Sequence, residues 1–282
     1  MKQEVYISVV VPVYNTALYV EDCIKALLSQ NYPQDKYEVI MVDNNSMDAS
    51  TDIIKQYPII KLKREYKQGS YAARNHGIYE AKGSIIAFTD SDCVPSSNWL
   101  RNIADVMSQP EVCIVLGAIK FRTDSLTSTM LAAYETEKAA YVFSSDDKEK
   151  YYGYTGNMAI RKNVFRVLGP FMEISRGADA IFVRQFAHEF SCNAIRYSSI
   201  VYVRHMEITN IWDYYRKHYI YGRNRKKNPK FKGVKTLDFA ERLYIFKATC
   251  QKKKYSRTLA CLLFFIILIG SFSYYIGGKR GE

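Results

Sequence analysis

The sequence predicts an α/β fold with a mostly parallel sheet flanked by helices, and three observations carry that prediction. In the first hundred residues, short apolar runs that read as strands covered on both faces alternate with stretches whose apolar residues recur at helical spacing. The resulting β-α-β-α-β-α-β order is that of a doubly wound sheet. Two of the strand-like runs also end in an aspartate, Asp43 and Asp90. Ligands of such sheets sit at the carboxyl ends of the strands, so the position of these two residues matters more than either residue alone.

Taken in order, residues 6–13 are a continuous β-branched run interrupted by Pro12 and Asn15, and residues 19–30 follow with Val20, Ile24, Leu27 and Leu28 at helical spacing. Residues 38–42 form a second buried strand ending at Asp43. Asn44, Asn45 and Ser46 turn the chain into a helix expected over 50–56. A short strand at 59–62, a helix over 70–81 and a strand at 84–88 leading to Asp90 complete the series. Past Trp99 the pattern loosens: a helix over 100–108, a strand over 112–121, a long helix over 126–142, and a Gly- and Tyr-rich stretch at 151–160. A helix over 178–190 and a strand over 194–203 precede further helices. No internal repeat or low-complexity linker intervenes. Residues 1–210 therefore read as one domain, 211–258 as a basic helical extension, and 259–276 as a candidate membrane helix.

At 282 residues, 48% hydrophobic and 24% charged, the chain is long and apolar enough for a real core, which excludes a disordered or collagen-like protein. The formal charge of +12 is uneven. Residues 1–203 hold 22 Lys/Arg against 23 Asp/Glu, whereas residues 204–257 hold 16 against 4. Such a block seeks an anionic partner: phospholipid, nucleic acid or a phosphate-bearing substrate. Residues 259–276 follow without a charge and reach roughly 27 Å as a helix, just short of a hydrocarbon core of about 30 Å. The segment either spans or inserts partway. Lys252, Lys253, Lys254 and Arg257 outweigh Lys279 and Arg280 across it, which keeps the body of the protein on the cytoplasmic face of the cell membrane. No signal peptide is expected before the first strand. Six cysteines without CxxC pairing or metal-ligand spacing read as reduced thiols.

Asp90 and Asp92 stand two residues apart after a buried strand, where a turn brings both carboxylates toward one divalent cation; oxygen ligands suit Mg²⁺ or Mn²⁺. In isolation such a triplet also suits an ordinary turn.

Four blocks in order give the triplet its context: Ser8-Val-Val-Val-Pro-Val-Tyr-Asn15, Val42-Asp-Asn-Asn-Ser-Met-Asp48, Gly69-Ser-Tyr-Ala-Ala-Arg-Asn75 and Phe88-Thr-Asp-Ser-Asp-Cys93. Together they resemble the family 2 glycosyltransferases, which have the GT-A fold. The resemblance continues through Gly156-Asn157-Met158-Ala159-Ile160, Gly177-Ala178-Asp179 and His205, covering roughly residues 6–210. It implies that Asp43 accepts a hydrogen bond from the nucleotide base, with Pro12, Tyr14 and Asn15 flanking the nucleoside. Gly69 lets the chain pass close to the donor, and Arg74 offers planar donors to base or diphosphate. Asp90 faces ribose and metal, Asp92 is the main metal ligand, and His205 joins the metal or diphosphate. Asp179 is the general base for the acceptor hydroxyl, while Trp99, Gly156 and Asn157 belong to the acceptor side. Most relatives carry Glu-Asp where this chain has Ala178-Asp179, so a supporting acid is missing or moved.

The expected activity is thus an inverting, metal-dependent transfer from a nucleotide sugar, UDP-linked, to a lipid-linked or polysaccharide acceptor, with residues 204–276 on a membrane surface. Two other classes compete. A nucleotidyltransferase that makes nucleotide sugars needs a Gly-rich phosphate loop, where this chain has Val11-Pro-Val-Tyr-Asn15. A non-catalytic membrane or nucleic-acid binder would use Trp212, Tyr214, Tyr215, Tyr219 and Tyr221, interleaved with the basic block. A scaffold has no use for the full acidic set, and no nucleic-acid partner is expected.

Overall fold

The computed structural model describes residues 4–122, 125–227 and 235–279. Contacts gather the chain into two compact units, Met1–Ile119 with Tyr152–Met206, and Lys120–Tyr151 with Glu207–Glu282.

The first unit opens with the expected series: β1 (Ile7–Val13), α1 (Val20–Leu28), β2 (Tyr37–Asp43), α2 (Ser50–Lys55), β3 (Lys61–Arg64), α3 (Ser70–Glu80) and β4 (Ile85–Thr89). The strands β2, β1 and β4 are almost wholly buried, which is why they read as unbroken apolar runs. α1 turns Val20, Cys23, Ile24 and Leu27 onto the sheet, where they join Val9, Val11, Val39 and Met41 in one core cluster. Each such aliphatic side chain contributes about 1.5–3 kcal/mol on burial. β3 reads Lys-Leu-Lys-Arg with little burial, chemistry that protects an edge strand from pairing with another chain.

Then come β5 (Cys93–Pro95), α4 (Trp99–Val106), β6 (Ile114–Phe121) and α5 (Leu126–Phe143), followed by β7 (Asn157–Arg161), α6 (Lys162–Leu168), α7 (Ala178–Glu189) and β8 (Ile195–His205). The eight strands lie in the order β3-β2-β1-β4-β7-β6-β8-β5. β1, β2, β3 and β4 pair in parallel, whereas β7 runs antiparallel to β4 and β6, and β5 antiparallel to β8. The sheet is therefore mixed: parallel in the half built by helical crossovers, antiparallel where the chain returns without them. The Gly- and Tyr-rich stretch at 151–160 conceals β7, a central strand.

The second unit is helical. α5 packs with α8 (Ile211–Lys227), α9 (Phe239–Lys252) and α10 (Arg257–Lys279), although its position in the sequence lies within residues 1–210. Met130 and Tyr134 of α5 meet Ile245 of α9 and Leu263 of α10, and Tyr214 and Tyr215 of α8 pack on Ile266. Asp238 and Glu241 cap the start of α9 reciprocally. Glu241 also receives Lys150 at 2.5 Å and the Tyr141 hydroxyl at 3.0 Å. α8 and α10 touch backbone to backbone: a Cβ on Gly222 would lie 2.0 Å from the Tyr274 carbonyl oxygen, and one on Gly277 2.0 Å from that of Tyr219.

Candidate active site

The carboxyl ends of the parallel strands carry a set of tied loops. Asp43, the last residue of β2, is 3% exposed; it accepts the Ser46 amide at 3.1 Å and lies 3.8 Å from the Arg64 guanidinium. Beside it, Asn44 is buried and fully engaged. Its Nδ2 donates to the carbonyls of Glu65 at 2.9 Å and Lys67 at 2.8 Å, and its Oδ1 accepts the Gly69 amide at 2.7 Å. One side chain thus fixes the whole 65–69 loop, a role that the sequence motif did not single out. Gly69, which caps α3, sits at φ +143°, where a side chain would be strained. Asn15, at φ +50°, accepts the Met47 amide at 2.8 Å and donates its own amide to Ser46 Oγ, so it staples the ends of β1 and β2 together. Pro12 lies past the last β1–β4 pair, where the ladder opens, and Tyr14 beyond it is half-exposed.

Arg74 projects from α3 toward Asp90, just past β4. Its guanidinium forms an ion pair with Asp90 Oδ1 at 2.5 Å and donates to the Ser70 carbonyl at 3.2 Å, while its buried Nε has no partner. Expected both at the donor, with Asp90 at the metal as well, these two residues are bound to each other. On its far side Asp90 faces Gly156, where a Cβ would come within 3.1 Å of Oδ2.

β5–β8 pairing brings the next carboxylate to its partner. Cys93 lies opposite His205, and this register leaves Asp92 Oδ2 3.5 Å from His205 Nδ1. The ligand atoms of Asp92, Cys93 and His205 lie within 4.8 Å of one another, the group among the described residues with metal-binding geometry. A carboxylate with an imidazole fits Mn²⁺ well and Mg²⁺ less so. Cys93 Sγ points at Asp92 Oδ1 from the buried side, at 3.7 Å. Burial, and after it the charges of Asp92 and Asp90, push the Cys93 thiol well up, and the Cys23 thiol behind it likewise. Asp90 is not in this group; it is turned toward Arg74.

Asp179 opens α7. Its Oδ2 accepts the Thr155 amide at 3.0 Å and the Thr155 hydroxyl at 3.4 Å, and its Oδ1 accepts the Ala180 amide at 2.9 Å. Thr155 immediately precedes Gly156, so one short segment touches both Asp179 and Asp90. The Tyr71 phenol, 5% exposed, accepts the Gly177 amide at 3.1 Å, beside Asp179. Burial, and then the Asp179 charge, push that phenol far above its ordinary range. Ala178, in the place of the usual acid, is buried; polar support for Asp179 comes instead from Thr155 and the Ala180 amide.

Trp99 and Asn157 are both fully buried. The indole donates to Asn157 Oδ1 at 2.8 Å, and Asn157 Nδ2 donates to the carbonyls of Ala118 and Val201. They brace the sheet below the site, and neither side chain reaches a cleft.

The profile of the family described as "Glycosyl transferase family 2" matches residues 8–169. The glycosyltransferase AglE of Haloferax volcanii is 34% identical over 207 residues, 68% of this chain and 67% of its own. The poly(ribitol-phosphate) beta-glucosyltransferase of Bacillus spizizenii is 36% identical over 120 residues, 40% of this chain, and the chain spans only 19% of that protein. Among solved structures, the mannosyltransferase PcManGT of Pyrobaculum calidifontis, in complex with GDP-Man and Mn²⁺, aligns with TM-score 0.65 at 18% identity over 99% of this chain and 87% of its own. S. aureus TarS 1-349 in complex with UDP aligns at 0.55 and 17% identity, over 98% and 92%.

Proposed function

The chain belongs to glycosyl transferase family 2 and is a glycosyltransferase, and from that premise we propose an inverting transfer from a UDP-linked sugar to a hydroxyl of a lipid-linked or polysaccharide acceptor, assisted by a divalent metal at the cytoplasmic membrane face. The observation that carries this reading is the Thr155–Gly156 segment, which brings the Asp179 carboxylate and the Arg74–Asp90 pair to its two sides. A proton acceptor thereby stands next to the acidic end of a donor site.

In the proposed reaction, Asp43 accepts a hydrogen bond from the base, and the loop tied by Asn44 supports the nucleoside. Arg74 donates to the diphosphate while Asp90 holds its other edge, a division of labour that the planar guanidinium allows. Asp92 and His205 would hold Mn²⁺ or Mg²⁺, which when bound offsets the negative charge on the departing diphosphate. Asp179 takes the proton of the acceptor hydroxyl as that oxygen bonds to the anomeric carbon. The bond from that carbon to the diphosphate oxygen breaks, and its electron pair leaves with the nucleoside diphosphate. A single in-line displacement inverts the configuration. The Mn²⁺ complex of PcManGT and the UDP complex of TarS support the metal and the uridine.

A thermal-shift screen of UDP and GDP with and without Mn²⁺ tests the reading. UDP with Mn²⁺ is expected to raise Tm by about 5 °C or more, through mass action on the folded state. Asp92→Ala is expected to remove the Mn²⁺-dependent part. The reading fails if neither nucleotide shifts the parent with either metal, or if Asp92→Ala binds as the parent does.

A further inference from the structure

We infer that α10 lies in the plane of an anionic phospholipid surface with one face immersed, and does not cross the bilayer. The inference rests on the membrane reading of residues 204–276 given above, and deepens it by assigning the orientation.

By length and composition alone α10 passes for a spanning helix: it has 23 residues and is the one candidate among the described residues. Its surroundings argue otherwise. Leu263, Ile266, Gly270 and Gly277, spaced three, four and seven residues apart, form a buried stripe along one face. The opposite face exposes Leu262, Phe265, Leu268, Ile269, Phe272 and Tyr275, all apolar or aromatic. A helix crossing a bilayer alone would have lipid on every side; this one is covered along a full side by helices rich in charge.

The covering runs from end to end. In the first half, Leu259, Leu263 and Ile267 pack on Met130 and Tyr134 of α5 and Ile245 of α9. In the second half α8 runs parallel to α10. Tyr215 donates its hydroxyl to the Ile266 carbonyl at 3.3 Å, a Cβ on Gly270 would lie 3.1 Å from the Tyr214 ring, and the glycine contacts at Gly222 and Gly277 close the far end. α10 cannot therefore enter hydrocarbon without its partners. α5 would bring Glu135, paired with Lys138, and Glu137, paired with Lys252 at 2.6 Å. α8 would bring Arg216 and Lys217, level with the middle of α10. Ionised side chains at that depth are expensive wherever they meet lipid, and Arg216 is exposed.

Lying flat removes the conflict. The apolar face enters the boundary between headgroups and acyl chains over about 35 Å of helix, and the charged neighbours stay in water. Exposed Lys253, Lys254 and Arg257 at one end, and Arg216 and Arg223 on α8, supply the positive charge that anionic headgroups attract. Trp212, 73% exposed on α8, suits the headgroup layer.

The full chain with a C-terminal epitope tag is made in the presence of sealed phosphatidylcholine–phosphatidylglycerol vesicles, and the floated fraction is treated with protease. In-plane binding leaves the tag on the same side as the body, so it is removed without detergent; a protected tag overturns the inference. Leu262→Trp, Ile269→Trp and Tyr275→Trp are then quenched with lipids brominated at different depths. Equal shallow quenching at all three is expected, whereas a markedly deeper residue 269 means spanning. Phe272→Glu is expected to lower the bound fraction at least tenfold, and omission of phosphatidylglycerol to do the same. If the chain does not float at all, the membrane reading itself falls, while UDP-dependent thermal shifts still report on the donor site. A dimer by light scattering, lost in Phe272→Glu, would identify a second copy as the occupant of this face and overturn the inference.

Discussion

Arg74 and Asp90 form a 2.5 Å ion pair in which the guanidinium is 6% exposed and the carboxylate 33% exposed. One partner is sealed and the other opens on the site, so the buried guanidinium fixes the direction of the exposed carboxylate. Arg74→Lys keeps the charge but loses the planar fork that serves Ser70 and Asp90 together and, in the proposed reaction, the diphosphate. UDP affinity in the presence of Mn²⁺ is expected to fall about tenfold, roughly 1.4 kcal/mol by calorimetric titration. Parent-like affinity would remove Arg74 from the donor site.

Asp179→Asn keeps shape and loses the proton acceptor. kcat is expected to drop by about 10²–10⁴-fold, with UDP-induced thermal stabilisation unchanged. Tyr71→Phe is the companion test of a positioning residue. Loss of the hydroxyl leaves the Gly177 amide, two residues before Asp179, unpaired and loosens the start of α7, at about 1 kcal/mol in stability. Its expected signature is a kcat several-fold lower at unchanged donor KM; a rise in donor KM instead would place Tyr71 against the sugar.

The Asp92–His205 pair predicts a metal affinity that can be read without turnover. Electron paramagnetic resonance of free Mn²⁺ during titration should show binding weakened at least about tenfold in both Asp92→Asn and His205→Ala. Asp90→Asn, outside that group, should weaken it less. The reverse ranking would move the metal toward Arg74.

Stability should fall with acid because of His218 on α8. Burial, against the opposing charge of Glu135 and with help from Lys138, holds its pKa down from the ordinary 6.5 to about 4. Between those values the unfolded chain takes up a proton that the folded chain refuses, so stability is full above pH 6.5 and is lost as pH falls toward 4. The loss approaches about 3 kcal/mol. Glu135, bonded to Tyr214 and paired with Lys138, is held below its usual range against the cost of burial and adds to the loss only at the acid end. Urea unfolding from pH 7 to 4.5 should show this slope in the parent and a flatter one in His218→Gln.

Gly222→Ala and Gly277→Ala each place a methyl group on a backbone carbonyl of the facing helix. Either should cost about 1–3 kcal/mol through forced separation of α8 and α10. Hydrogen exchange should quicken in those two helices and stay unchanged in β1 and β2.

The parallel half of the sheet was legible because each of its elements declares itself locally: buried strands as apolar runs, α1 by its period, Asp43 and Asp90 by their place at strand ends. β7 was not, since Asn157–Arg161 is short and its partners β4 and β6 lie far away in sequence. The company kept by α5 was equally hidden, because Met130 and Tyr134 find Ile245 and Leu263 more than a hundred residues on. At the site, residue types could be read and their pairings could not. Nothing local to Arg74 says that it holds Asp90, and nothing local to Ala178 says that Thr155 supports its neighbour.

Asn44 has a consequence for the kinetics of ligand capture. Its three hydrogen bonds tie residues 65–69 to the end of β2. A loop that must condense around its ligand slows association and adds a second relaxation to the time course. With the loop already set, UDP binding should follow one exponential phase whose rate rises linearly with concentration. Asn44→Ala should introduce a slow, concentration-independent phase, locating the gain from this buried amide in the rate of encounter.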